Sequence, residues 1–115
     1  MPISDSYTDF ILEKLGRITP VTSRKMFGAL GVYDGADIFA IVNDDTLYFK
    51  TDDSTRQAYV DAGAPAFMPG GMSMGYHQVP ADVLEDDATF AEWTRQAIAV
   101  GHAAKKSKPK PKPRK

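Results

Sequence analysis

The chain has 115 residues, 43% hydrophobic and 25% charged, which suits one domain able to bury its own core. It contains no cysteine, so disulfides, thiolate zinc sites and cysteine nucleophiles are excluded, and no apolar run reaches the roughly 18 residues of a membrane helix. The net charge of -1 conceals a segregation: residues 105–115 carry seven basic groups and no acidic one, leaving residues 1–104 at -8.

Met1-Pro2-Ile3-Ser4-Asp5 lacks both a basic stretch and a following apolar stretch, so no signal peptide is expected and a cytoplasmic location is. Ser4 is a candidate N-cap, and Asp5 places negative charge where the helix dipole favours it. Tyr7, Phe10, Ile11, Leu15 and Ile18 recur at helical spacing, and Gly16 and Pro20 close the segment, so the first helix is expected over 5–16. Met26 and Phe27 open a β run that continues through Leu30, Val32 and Tyr33. Gly28 and Gly31 within it suggest a bulge or a close backbone approach. Asp34-Gly35 is a hairpin turn signal. The apolar run from Ile38 to Val42 reads as a central strand, Asn43-Asp44-Asp45 as a turn, and Leu47 to Lys50 as a third strand.

Asp52 or Asp53 is expected to cap a second helix, with Ala58, Tyr59 and Ala62 on its apolar face and Gly63 as its stop. Residues 65–68 read as a short fourth strand, 69–73 as a glycine-rich loop and Met74 to Val79 as a fifth strand. Pro80 ends that strand and leads into a helical turn over 81–85. Asp86 or Asp87 caps the last helix, whose face carries Phe90, Trp93, Ala97, Ile98 and Gly101. Gly101 is expected to weaken its final turn. The order α-β-β-β-α-β-β-α argues an α+β fold, an antiparallel sheet packed against helices. The domain is expected over 1–104. Residues 105–115, which are lysine, proline, one serine and one arginine, are expected to be disordered with a polyproline bias.

Chemistry-bearing constellations are sparse. His77 and His102 lack companion ligands at metal-binding spacing and read as surface imidazoles. The paired acids Asp44-Asp45, Asp52-Asp53 and Asp86-Asp87 each fall where a turn or cap is expected. The loop Pro69 to Gly75 precedes a strand rather than a helix, and it lacks the lysine of a nucleotide-binding loop. No cofactor or catalytic residue is expected. Met72 and Met74 are candidates for an adaptable partner contact. Arg24, Lys25, Met26 and Phe27 form a second candidate partner patch. Lys105, Lys106, Lys108, Lys110, Lys112, Arg114 and Lys115 are candidates for nucleic-acid contact, because basic residues neutralise phosphates without reading bases. If all seven did so, the log–log salt slope would approach about -6.

Two blocks taken together resemble the N-terminal domain of the TfoX/Sxy family. The first is Arg24 to Lys50, with Met26-Phe27-Gly28, Gly31-Val32-Tyr33, Phe39-Ala40-Ile41-Val42 and Leu47-Tyr48-Phe49-Lys50. The second is Met74 to Pro80, followed by Val83-Leu84-Glu85-Asp86 and the tryptophan helix. The resemblance spans roughly residues 5–104. It implies a secretion-chaperone-like α+β fold, and a non-enzymatic role in regulating competence or related transcription. It also implies a transcription-factor partner such as a cyclic-AMP receptor protein. The longer competence regulators carry a second, C-terminal domain, whereas this sequence ends in the basic tail. Two alternatives stand beside it. One is a small-molecule-binding or enzymatic domain with Tyr33, Tyr48, Phe67 and Tyr76 lining a pocket between helix and sheet. The other is a dimerisation module, a homodimer built on apolar strand positions.

Overall fold

A computed structural model describes residues 5–26, 29–68 and 75–107. The first helix, α1 (Asp5–Gly16), covers the expected segment. Its helical spacing buries Ile11 and Leu15 completely, while Tyr7, Leu12 and Ile18 pack at the margin. Phe10 departs from expectation and stays half exposed, because it falls outside the arc that faces the sheet. The Ile18 and Thr19 amides both donate to the Leu15 carbonyl, closing the helix end. The expected cap Ser4 lies outside the described residues.

Five strands form one antiparallel sheet in sequence order: β1 (Thr22–Met26), β2 (Ala29–Asp34), β3 (Asp37–Asn43), β4 (Thr46–Lys50) and β5 (Tyr76–Gln78). β3 is central, as its apolar run requires. The β3–β4 turn is a two-residue hairpin in which Asp44 and Asp45 take φ of 53° and 54°, the geometry that matches strand twist. Between β2 and β3 the register slips, so that Val32 pairs with Ala40 but Tyr33 with Ile38. The extra residue, Phe39, thereby joins Ala40 in the core instead of pointing away.

Four helices lie on one face of this sheet: α1, then α2 (Arg56–Asp61), α3 (Ala81–Glu85) and α4 (Asp87–Ser107). The core between them holds Ile11, Leu15, Leu30, Val32, Phe39, Ala40, Val42, Leu47, Phe49, Phe90 and Ala97. Its aromatic spine runs from Phe39 to Phe49 at 6.3 Å and from Phe49 to Phe90 at 5.8 Å between ring centres. Lys14 fastens α1 to α4, with its ammonium 2.8 Å from Asp87 and 5.0 Å from the centre of the Phe90 ring. Asp86 caps α4 by accepting the Thr89 amide at 2.9 Å, and the bond from the Thr89 hydroxyl, followed by that amide, holds its carboxyl below the usual range. Asp52 shapes the entry to α2 by accepting the Ser54 and Thr55 amides, although Thr55 stands directly before the helix.

The α+β class, the antiparallel sheet and its helical backing agree with the sequence reading. Several elements differ. The polar run Thr22–Met26 is a strand of its own, so Met26 and Ala29 face each other across a hairpin instead of sharing one strand. Residues 65–68 make only an isolated bridge, Ala66 to His77, where a strand was expected. Two backbone bonds flank that bridge, Phe67 to Tyr76 and Gln78 to Pro65. The glycine at 28 and the loop 69–74 lie outside the described residues. α4 continues past Gly101 and past the expected boundary at Ala104 to Ser107. Gly101 is buried, and its role is close approach: a Cβ there would sit 2.6 Å from the Ile38 carbonyl oxygen of β3. Among the described residues no helix is long and apolar enough to cross a membrane.

Candidate functional site

β1 ends the sheet, and among the described residues it bonds to β2 alone. One rail of its backbone N–H and C=O groups therefore faces outward. Thr22, Ser23, Arg24 and Lys25 are all exposed. Their alternation places Thr22 and Arg24 on the face away from the helices, opposite Tyr33 and Gly31, and places Ser23 and Lys25 on the helix side, opposite Val32 and Leu30. Neither Arg24 nor Lys25 has an ion pair or side-chain hydrogen bond among the described residues. An open cleft of about 420 Å³ runs beside the strand, lined by Thr22, Ser23, Arg24, Tyr33, Gly35 and Ala36. Thr22, Arg24 and Tyr33 share the face away from the helices there. The fork of Arg24 matches a carboxylate in shape and charge.

The hairpin that forms the far wall of this cleft is clamped from behind. His102, on α4, places Nε2 3.1 Å from an Asp34 carboxylate oxygen and Nδ1 against the Asp37 carboxylate. Ionised carboxylates only accept, so both ring nitrogens must carry hydrogen and the imidazole is held as its cation. The bond to Asp37, and after it the bond to Asp34, raises the His102 pKa above its usual value. His102 is thus no isolated surface imidazole. It ties the last third of α4 to the β2–β3 turn, in which Gly35 takes a φ of 66°.

His77 also differs from expectation. It is buried to 8% exposure, facing the helices from β5 opposite Phe49, with its ring centre 5.7 Å from that of Tyr59. The Thr51 hydroxyl donates to the Gly75 carbonyl at 3.1 Å, which leaves its oxygen to accept from His77 Nδ1 at 3.2 Å. That assigns the proton of the neutral ring to Nδ1. Burial, and then the Arg56 charge, lower its pKa. Trp93 meets Tyr59 edge-on at 4.7 Å and is half-buried.

The other expected site residues fall as follows. Arg24 and Lys25 share the β1 edge. Met26 continues it in backbone pairing, whereas Phe27, Met72 and Met74 lie outside the described residues. The backbone of Lys105 and Lys106 belongs to α4, and Lys108, Lys110, Lys112, Arg114 and Lys115 lie outside the described residues. The aromatic set of the small-molecule alternative does not line a space between helix and sheet. Tyr48 opposes Ile41 on the face away from the helices, where the Phe67 ring packs against it, tilted, at 4.7 Å and Tyr76 is buried beside Ala29 and Ile41. Period-two alternation, which sends Leu47 and Phe49 inward, sends Tyr48 outward. Burial, and then Tyr33, push the Tyr76 hydroxyl up to about 12. Among the described residues no group of three or more His, Asp or Glu side chains could hold a metal ion.

The sequence reading missed the Asp34–His102–Asp37 cluster. His102 lies 65 and 68 residues from its two partners, so no local spacing announces the cluster. It also missed the edge itself, because Thr22–Met26 shows no apolar alternation; its one advance sign was the consecutive cations Arg24 and Lys25.

Comparison with known proteins bears on the whole of this framework. The chain matches the family model described as the TfoX N-terminal domain over residues 13–101, a span that takes in all five strands and most of α4. No curated protein matches it.

Proposed function

Since the chain belongs to the TfoX N-terminal domain family, we propose that it is a non-enzymatic, cytoplasmic regulator of the TfoX/Sxy kind, acting by protein–protein contact. The observation that carries this reading is the open edge of β1, with Arg24 and Lys25 exposed and without an ion pair among the described residues. Edge strands of monomeric proteins are usually blunted or covered, and a basic edge on a body of net charge -8 is a local exception in sign. The partner proposed is a transcription factor of the cyclic-AMP receptor type, bound at its promoter. The basic residues 105–115 add sequence-independent attraction to the same DNA.

The test is a mobility-shift assay with the receptor protein of the same organism on one of its promoters, with and without this chain. A supershift by the native chain, lost in the Arg24→Glu, Lys25→Glu double variant, is the expected result. No supershift and no change in receptor affinity overturns the reading. A truncation after Ser107 keeps α4 whole and removes five basic residues. It should flatten the log–log salt dependence of DNA binding by up to about 4 to 5. An unchanged slope removes the tail from the proposal.

A further inference from the structure

We propose that β1 is a strand-addition site for an extended acidic peptide segment, one carrying two consecutive carboxylates. This deepens the docking role proposed above and rests on it. The main chain supplies the first half of the recognition: β1 pairs with β2 alone among the described residues, so an added strand completes its outward backbone rail. Side-chain alternation supplies the second. Arg24 and Lys25 are consecutive and therefore point to opposite faces of the sheet, Arg24 toward the cleft and Lys25 toward the helix side. Consecutive acids on an added strand alternate in the same way, so one carboxylate meets each cation.

The cleft provides the seat for the first carboxylate. Arg24 shares its face with Thr22 and Tyr33, which also line the cleft, and the β2–β3 turn that closes it is pinned to α4 through Asp34, Asp37 and His102. Gly31 is the residue facing Arg24 across the β1–β2 pair, so no side chain competes there for the guanidinium.

Other occupants fit less well. A second copy docked edge to edge about the centre of β1 sets Arg24 against Arg24, and like charges directly opposite are unfavourable. A nucleic-acid backbone offers phosphates but no alternating N–H and C=O rail, and it meets a body of net charge -8.

The probe is a fluorescein-labelled octapeptide of alternating valine and threonine with two central glutamates, titrated against the full chain by anisotropy. Two controls accompany it: the same peptide with central lysines, and the glutamate peptide N-methylated at alternate amides. The glutamate peptide should bind, with amide shifts centred on residues 22–26 by NMR. Each control should bind about tenfold or more weakly. The Arg24→Glu, Lys25→Glu variant, its fold checked by circular dichroism, should exchange preference and take the lysine peptide. Equal binding of the N-methylated peptide shows attraction without strand addition and overturns the proposal. So does displacement of the peptide by a short DNA duplex, which would give the edge to nucleic acid. Absence of binding by the glutamate peptide overturns it as well, and the wild-type comparisons decide even if the variant does not fold. This assay contains no receptor and no promoter. A positive supershift with a negative peptide titration therefore refutes strand addition alone.

Discussion

Replacing Gly101 by alanine should destabilise the protein, although helix propensity alone says the reverse. Gly101 lies inside α4, and in an exposed helix interior alanine is better than glycine by about 0.8–1 kcal/mol. Here the new Cβ would lie 2.6 Å from the Ile38 carbonyl oxygen and 3.4 Å from both the Ile38 carbonyl carbon and Phe39 Cβ. The nearest atom is backbone of the central strand, so relief requires α4 and β3 to move apart. Overpacking of this kind costs about 1–3 kcal/mol. Subtracting the propensity gain leaves a net loss of about 1 kcal/mol, or about 4–8 °C in Tm for a domain of this size. Urea unfolding followed through Trp93, which is packed against Tyr59, reads this directly. The exposed Ala99 on the same helix is the control: Ala99→Gly should lose about 1 kcal/mol by propensity alone. Stabilisation by Gly101→Ala, with Ala99→Gly behaving as expected, would refute the close approach of α4 to β3.

Three further outcomes follow from the core and the two histidines. Phe49→Ala empties a fully buried position between Phe39 and Phe90 and should cost about 3–5 kcal/mol, measured as a lowered urea midpoint at unchanged m. The His102 pKa is raised in the fold, so the stabilisation from its clamp is complete below the usual value of 6.5 and is lost as pH rises through the folded value. His102→Gln should abolish that alkaline-side loss, and the native ring should titrate above 6.5 by NMR. His77 has the opposite sign. Its pKa is lowered, so the unfolded chain binds a proton that the fold resists, and stability falls as pH drops below 6.5 toward the folded value. In His77→Gln this acid-side loss should disappear from the pH dependence of the urea midpoint.

The elements that were legible in the sequence are those whose burial follows a local period. α1 showed itself through Ile11 and Leu15, the central strand through the run from Ile38 to Val42, and α4 through Phe90 and Ala97. The cap at Asp86 and the Asp44-Asp45 turn were legible because short acidic side chains bond neighbouring amides or tolerate positive φ, and Asp52 bonds the amides of Ser54 and Thr55 although Thr55, not Asp52, caps α2. The family resemblance rested on the same segments, and the match over residues 13–101 covers them.

The sequence by itself determined the apolar periods, the caps and turns, and hence the α+β class, because these are properties of residues within a few positions of one another. The tertiary structure alone decided the rest. Thr22–Met26 is a strand only because β2 offers it a partner, and its polar side chains report the open edge instead of a core. The sorting of Tyr48 and Phe67 to the face away from the helices follows from register. Gly101 reads as a helix weakener until β3 is seen to press on it. His77 and His102 read alike in the chain, yet one is buried neutral beside Thr51 and the other is charged between Asp34 and Asp37. Their partners lie 26 to 68 residues away, and only chain folding brings such groups within hydrogen-bonding range.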